Sequence, residues 1–268
     1  MTPELLQKLK AHYKDGFPND SDTFVEHFFA NMLHKIPVYI TLPDNSIAAA
    51  GYIVKKQAMI LGAKTIAYYL SAISVKNNLR GKGYGSKIIE KLFEKVQELK
   101  APVCFLNPFD SKFYTKYGFE NFTFCGTSKI IGGKDYIYKK KYSNLPPDII
   151  LEKLVKIQSD YSSKFNNHIV YDKAALKEKL NNELLDGAKL YIFYDFKKNI
   201  AAYAACKDNK IYHYAYNANC NIGDIESLKN YEYTDFSKKT IPYIQAKFFC
   251  KDYAKNIKVG SNYFPDQY

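Results

Sequence analysis

The sequence predicts an α/β (α+β) fold, a mixed sheet flanked by helices, followed by a second unit built in the same order. Three observations predict it. Apolar residues make up 47% of 268 residues, enough to fill a packed core. A strongly amphipathic stretch at 86–100 lies between two apolar strand patterns, the layout of a right-handed parallel crossover. The order helix, helix, strand, strand, strand occurs in residues 1–75 and again from residue 149.

The elements follow from local chemistry. Leu5, Leu6 and Leu9 share one helical face, and Gly16, Pro18, Asn19 and Asp20 end that helix. A second helix is expected over Thr23–Leu33 with Asp22 as its cap. After Pro37, Val38–Leu42 reads as extended, and Pro43-Asp44-Asn45-Ser46 as a turn. Ile47–Val54 and Ala58–Leu61 are expected to form a hairpin, with Thr65–Val75 as the next strand. Ser86–Lys100 carries a stripe of Ile88, Ile89, Leu92, Phe93, Val96 and Leu99, opposite Lys/Glu pairs at i,i+3. Val103–Leu106 is a short buried strand, and Ser111–Tyr117 a short helix closed by Gly118. Phe119–Phe124 and Tyr136–Tyr142 return to strand patterns.

Asn144-Leu145-Pro146-Pro147-Asp148 is the expected linker, because Pro-Pro continues neither helix nor sheet. It divides the chain into residues 1–142 and 148–268. Helices over Ile149–Phe165, with Asp148 as cap, and Lys173–Leu185 come next. A three-stranded meander follows at Leu190–Phe196, Ile200–Cys206 and Lys210–Tyr216. Ile241–Phe249 is a further strand pattern, and Tyr263–Tyr268 an extended end.

The net charge of +12 lies mostly in residues 1–142. Its longest cluster is Lys139-Lys140-Lys141, too short for a nucleic-acid stripe, so nucleic acid is not an expected partner. The five cysteines form no Cys-x-x-Cys pair and no zinc spacing, so no metal is expected. An odd count without a framework fits a reduced, cytoplasmic protein. No apolar run has the length of a membrane helix, and the N-terminal residues carry charges throughout, unlike a signal peptide.

Chemistry concentrates at Leu79-Arg80-Gly81-Lys82-Gly83-Tyr84-Gly85-Ser86, between a strand and the strongest helix. A helix N-terminus leaves N–H groups unpaired and holds positive partial charge, so phosphate binds there. Glycines admit positive φ and let backbone approach the anion, while Arg80 and Lys82 add full charges. The spacing is not Gly-x-Gly-x-x-Gly, and no Gly-Lys-Ser/Thr closes the loop, which sets aside the two common nucleotide loops.

Arg80-x-x-Gly83-x-Gly85, after the strand Ser71–Val75, resembles the acetyl-CoA signature of the GNAT N-acetyltransferases. Phe113-Tyr114-Thr115-Lys116-Tyr117-Gly118-Phe119-Glu120 resembles their second mark. The two-part chain is similar to the Enhanced-intracellular-survival type, in which an active GNAT domain precedes a degenerate GNAT-like one. Residues 148–268 hold no second Arg-x-x-Gly-x-Gly. The resemblance therefore implies one catalytic, acetyl-CoA-binding GNAT domain over 1–142 and a degenerate GNAT-like domain with its tail over 148–268. The chain is short for the third, sterol-carrier-like domain that often follows.

The resemblance also implies the chemistry. Acetyl passes directly from acetyl-CoA to an amine. Ile73, Ser74 and Val75 would pair with the pantetheine arm; Arg80, Gly81, Lys82, Gly83, Tyr84, Gly85 and Ser86 would hold the pyrophosphate; Phe109 and Asp110 would border the donor. An N–H near Val75 would stabilise the oxyanion. Tyr114 would protonate the leaving thiolate, to which a phenol is well matched. The base that takes the amine proton stays open among Glu26, His27, His34, Asp110, a water relay and the Tyr268 carboxylate, which in those relatives reaches back into the site. The acceptor is open between small-molecule amines, aminoglycoside-like polyamines and peptide or lysine amines, as is a homo-oligomeric state. A non-catalytic acyl-CoA-binding or regulatory module is the rival reading.

Overall fold

The computed structural model describes residues 1–30, 32–133, 138–236, 238, 241–249 and 262–263. The chain opens with α1 (Pro3–Gly16) and α2 (Asp22–Ala30). The Thr2 hydroxyl caps α1 by accepting the Leu5 N–H. Ser21, rather than the expected Asp22, caps α2: its Oγ accepts the Phe24 N–H at 3.1 Å, and Asp22 already lies in the first turn. The helix also stops earlier than expected, and a 3₁₀ turn over Met32–His34 leads into β1 (Lys35–Thr41). Pro37 lies inside β1 instead of ending the segment before it, as it can on a strand with a free edge.

The expected hairpin between residues 47 and 61 is a single strand, β2 (Ile47–Ile60). The true hairpin turn is Leu61-Gly62, both at positive φ (53° and 77°), which joins β2 to β3 (Ala63–Val75). Lys55, Lys56 and Gln57 interrupt the apolar run but only mark an exposed stretch of the same strand. Next come α3 (Tyr84–Glu98), β4 (Val103–Leu106), α4 (Ser111–Thr115), β5 (Glu120–Lys129) and β6 (Tyr138–Tyr142). After the proline linker come α5 (Asp148–Ser162), β7 (Asn167–Ile169), α6 (Lys173–Leu185), β8 (Lys189–Tyr194), β9 (Ile200–Lys207) and β10 (Lys210–Tyr216). Pro147, not Asp148, occupies the cap position of α5. The chain continues through β11 (Glu232–Asp235), β12 (Ile241–Phe248) and β13 (Asn262–Tyr263).

Among the described residues, thirteen strands form one mixed sheet. Its order is β13-β7-β2-β3-β4-β12-β5-β11-β10-β9-β8-β6, with β1 also on β2. β3 and β4 run parallel, and α3 crosses between them, as the crossover pattern predicts. β8, β9 and β10 form the antiparallel meander. The strands before and after the linker interleave. β12 lies between β4 and β5 and is antiparallel to both, while β6 pairs with β8.

Alternation along β2 sorts side chains between two layers. Ala49 and Ile53 meet Ile88, Ile89, Leu92 and Val96 of α3 on one face. Ala50 and Tyr52 meet Leu9, Tyr13, Phe28 and Phe29 of α1 and α2 on the other. The third core joins both sides of the linker, with Tyr69, Phe105 and Phe122 packed in one cluster with Leu151, Leu154, Leu176 and Tyr203.

Candidate active site

The sheet opens where its parallel pair parts. β3 and β4 are in register only at Tyr68 with Cys104 and Tyr69 with Phe105, although β3 runs on to Val75. From Leu70 onward the edge of β3 that faced β4 has no strand partner among the described residues. A bulge marks this stretch. Its register to β2 shifts between Ser74 and Ser71, and Ala72 takes a φ of 46°. A non-glycine residue there costs on the order of 1–3 kcal/mol, which packing on both faces must offset. An open, bulged edge offers N–H and C=O groups to an extended ligand, as an added strand would use them.

The glycine-rich loop stands at the end of that edge. A 3₁₀ turn, Asn77–Leu79, leads to Arg80, whose Nε donates to the Val75 carbonyl at 3.4 Å. Gly81 (φ 77°) and Gly83 (φ 81°) are left-handed, and Gly83 is the N-cap of α3. No side chain caps the helix, so its first N–H groups face outward without an internal acceptor. A Cβ built on either glycine would meet nothing within 4 Å, so backbone conformation rather than crowding selects glycine here. At Gly85 the neighbours are Phe113 Cζ at 3.5 Å and Val75 Cγ2 at 4.0 Å from such a Cβ. Strand end, loop and α4 therefore converge on Gly85.

α4 carries Tyr114. Asp110 is its N-cap, with Oδ1 accepting the Lys112 N–H at 2.9 Å. Phe109, one residue earlier, is fully exposed. The Tyr114 ring is partly buried, edge-on to Phe113 and Phe119. Burial raises its phenol above the ordinary tyrosine value, and nearby Tyr117 adds to the effect, so Tyr114 holds its proton at neutral pH. Tyr117 donates to Ser86 Oγ at 2.7 Å, tying α4 to the first turn of α3. The Ser86 hydroxyl proton stays free to donate elsewhere.

The open candidates for a base lie in different places. Glu26 is exposed and paired with Lys10 at 2.6 Å. His27 sits 3.3 Å from Asn181 Nδ2 and, with His34, lines a separate cleft of about 520 Å³ between β2, β7 and α6. No residue of 73–86 or 109–117 lines that cleft. Tyr268 lies outside the described residues, and the last described pair, Asn262–Tyr263, runs parallel to Asn167–His168. Among the described residues, no group of three or more His, Cys, Asp or Glu could hold a metal ion, and no helix is long and apolar enough to cross a membrane.

Sequence reasoning missed His12. It is buried on α1, with Nε2 3.1 Å from Ser74 Oγ and 3.4 Å from the Ser74 carbonyl. Beside it, a Cβ on Gly16 would come within 2.7 Å of Ser74 Cβ, and Asp15 accepts from Asn77 N and Nδ2, each at 3.1 Å. The end of α1 is thus bolted to the open end of β3. A single histidine in an amphipathic helix carries no local signal of this contact.

Burial lowers the pKa of His12, and His27 and His168 shift the same way for the same first cause. Below about pH 6.5 the unfolded chain therefore takes up protons that these folded side chains resist, and stability falls as pH falls. The melting temperature is expected to drop between pH 7 and 5.5, and to drop less in His12→Gln. An identical pH dependence in that variant would remove His12 from the account.

Residues 1–122 match a family model described as an acetyltransferase (GNAT) domain. No curated protein matches the chain. Among solved structures, a conserved protein of Enterococcus faecalis V583 superposes with a TM-score of 0.71 at 16% identity, over 92% of this chain and 71% of that one. A GCN5-related N-acetyltransferase from Anabaena variabilis gives 0.67 at 15%, covering 94% and 72%. Another from Kribbella flavida gives 0.63 at 11%, covering 92% and 70%. At these identities the likeness is one of fold, and it spans both sides of the proline linker.

Proposed function

We propose, from the match of residues 1–122 to a GNAT acetyltransferase domain, that the protein is an acyltransferase that moves an acetyl group from acetyl-CoA directly to a primary amine. The observation that carries this is the convergence at Gly85: the open edge of β3, the uncapped N-terminus of α3 and the Tyr114 helix meet there. The site fits the donor in kind. The β4-facing edge of β3 over Ile73–Val75, which no strand covers among the described residues, suits an amide-bearing arm, the N–H groups and cations of Arg80–Ser86 suit a diphosphate, and exposed Phe109 with Asp110 is assigned to the border. Bound there, acetyl-CoA supplies an acyl group activated as a thioester. Tyr114, kept protonated by burial, is the donor of a proton to the departing thiolate.

The amine acceptor is a small molecule, an aminoglycoside-like polyamine or a peptide or lysine amine. We further propose that residues 148–268 are a degenerate second copy of the tandem type. The order α5, α6, β8, β9, β10 after the linker supports it: apart from the three-residue β7 between the two helices, it parallels α1, α2, β1, β2, β3 before it.

Thiol release from acetyl-CoA across a panel of amines tests the function. Amine-dependent release is expected, and none with any class of amine would overturn it. Coenzyme A alone should raise the melting temperature, by about 2.7 kcal/mol of stabilisation at a hundredfold excess over Kd. Gly83→Val should reduce that gain by about 1–2 kcal/mol, because a β-branched side chain resists a φ of 81°. An unchanged gain would mean that Gly83 does not shape the anion site.

A further inference from the structure

We propose that Gln245 and Lys247, on the strand β12 from beyond the linker, set the position of Tyr114 for acyl transfer; the inference rests on the reading of Tyr114 as proton donor. β12 reaches the site by lying against β4, with Gln245 opposite Leu106 and Lys247 opposite Cys104. Two residues apart on a strand, the side chains leave on the same face. Gln245 is fully buried, and its Nε2 donates to the Ser111 carbonyl at 3.2 Å and to Asn121 Oδ1 at 2.9 Å. Lys247 Nζ donates to the Tyr117 carbonyl at 2.5 Å and stands 4.3 Å from the centre of the Phe93 ring.

The two contacts bracket Tyr114, which lies three residues after Ser111 and three before Tyr117. α4 is a helix of five residues, too short to hold its own geometry, so outside partners must fix it. Tyr117 passes the constraint on through its bond to Ser86, in the first turn of α3. One strand thus aligns the proton donor with the loop that faces the donor ligand.

The residue types are costly for mere packing. The Oε1 of Gln245 is buried without a hydrogen-bond partner, and no carboxylate pairs with Lys247 among the described residues. An aliphatic side chain would avoid both penalties at a central strand position. Their hydrogen bonds to Ser111 and Tyr117, by contrast, need donors at these two places.

The test uses the full chain, with acetyl-CoA and an amine that the wild type acetylates. Lys247→Met and Gln245→Leu should each lower kcat by about 10- to 100-fold, the scale of a misplacement near 1 Å. KM for acetyl-CoA should move by less than about 3-fold, since the glycines and cations of the anion loop are unchanged and only its tie through Ser86 is loosened. Lys247→Arg should recover most of the rate, because it keeps a donor and a cation over Phe93. Combined with Tyr114→Phe, Lys247→Met should add little further loss, as residues acting through one group are not additive. A merely structural role would lower kcat additively and shift both constants.

Should Gln245→Leu fail to fold, Gln245→Met, closer in length, takes its place. Full kcat in Lys247→Met and the Gln245 variant, beside a slow Tyr114→Phe, overturns the inference alone. Full kcat in Tyr114→Phe overturns the proton-donor reading instead.

Discussion

Tyr114→Phe is expected to lower kcat by about 10²- to 10⁴-fold, the range that a positioned proton donor contributes. The substitution removes one oxygen from a ring already held edge-on between Phe113 and Phe119, so folding and coenzyme A stabilisation should persist. KM for acetyl-CoA should change little, because the donor loop meets the ligand elsewhere. A raised phenol pKa makes the donor abundant at neutral pH but slower to give up its proton, so the matched partner is a thiolate rather than a weaker base. A variant with normal melting and normal kcat would exclude the role. A variant with normal kcat and raised KM would make Tyr114 a binding residue.

The second large effect concerns stability. Phe105→Ala should cost about 3–5 kcal/mol, the usual loss for emptying a buried phenylalanine site. Phe105 is fully buried at the centre of β4, its ring 5.2 Å from that of Tyr69, and its backbone stands opposite Ala246 of β12. It belongs to the cluster that contains Leu154, Leu176 and Tyr203. The melting temperature should fall by roughly 6–20 °C, as a single transition for the whole chain. Two separable transitions, with only one displaced, would show that the shared core does not couple the two sides of the linker.

What was legible in the sequence was local. Arg80–Ser86, α3 and the limits of β4 and α6 follow from periodicity, glycine placement and caps within a few residues. The expected break after Val54 failed because Lys55 and Gln57 reflect solvent beside an uninterrupted strand, not a turn. β7 (Asn167–Ile169) and β11 (Glu232–Asp235) are as short as β4 or shorter and lack its continuous apolar run, so no pattern marks them. The base candidates His27 and His34 were chosen by residue type, and both line a cleft that no residue of 73–86 or 109–117 enters. His12, Gln245 and Lys247 stayed hidden for a different reason. Their partners stand 62 to 134 residues away, and only tertiary pairing brings them together.

The insertion of β12 between β4 and β5 also fixes an order of events during synthesis. β4 emerges from the ribosome early, yet its neighbour begins at Ile241. At about 5–20 residues per second, that gap lasts on the order of ten seconds. Throughout it, β4 and β5 stand without the strand that joins them, and apolar edges next to the Tyr114 turn stay open to other chains. A nascent chain can build the glycine loop and its helix long before it can build a working site. Shortened products that end before Ile241 would be prone to aggregate rather than partially active.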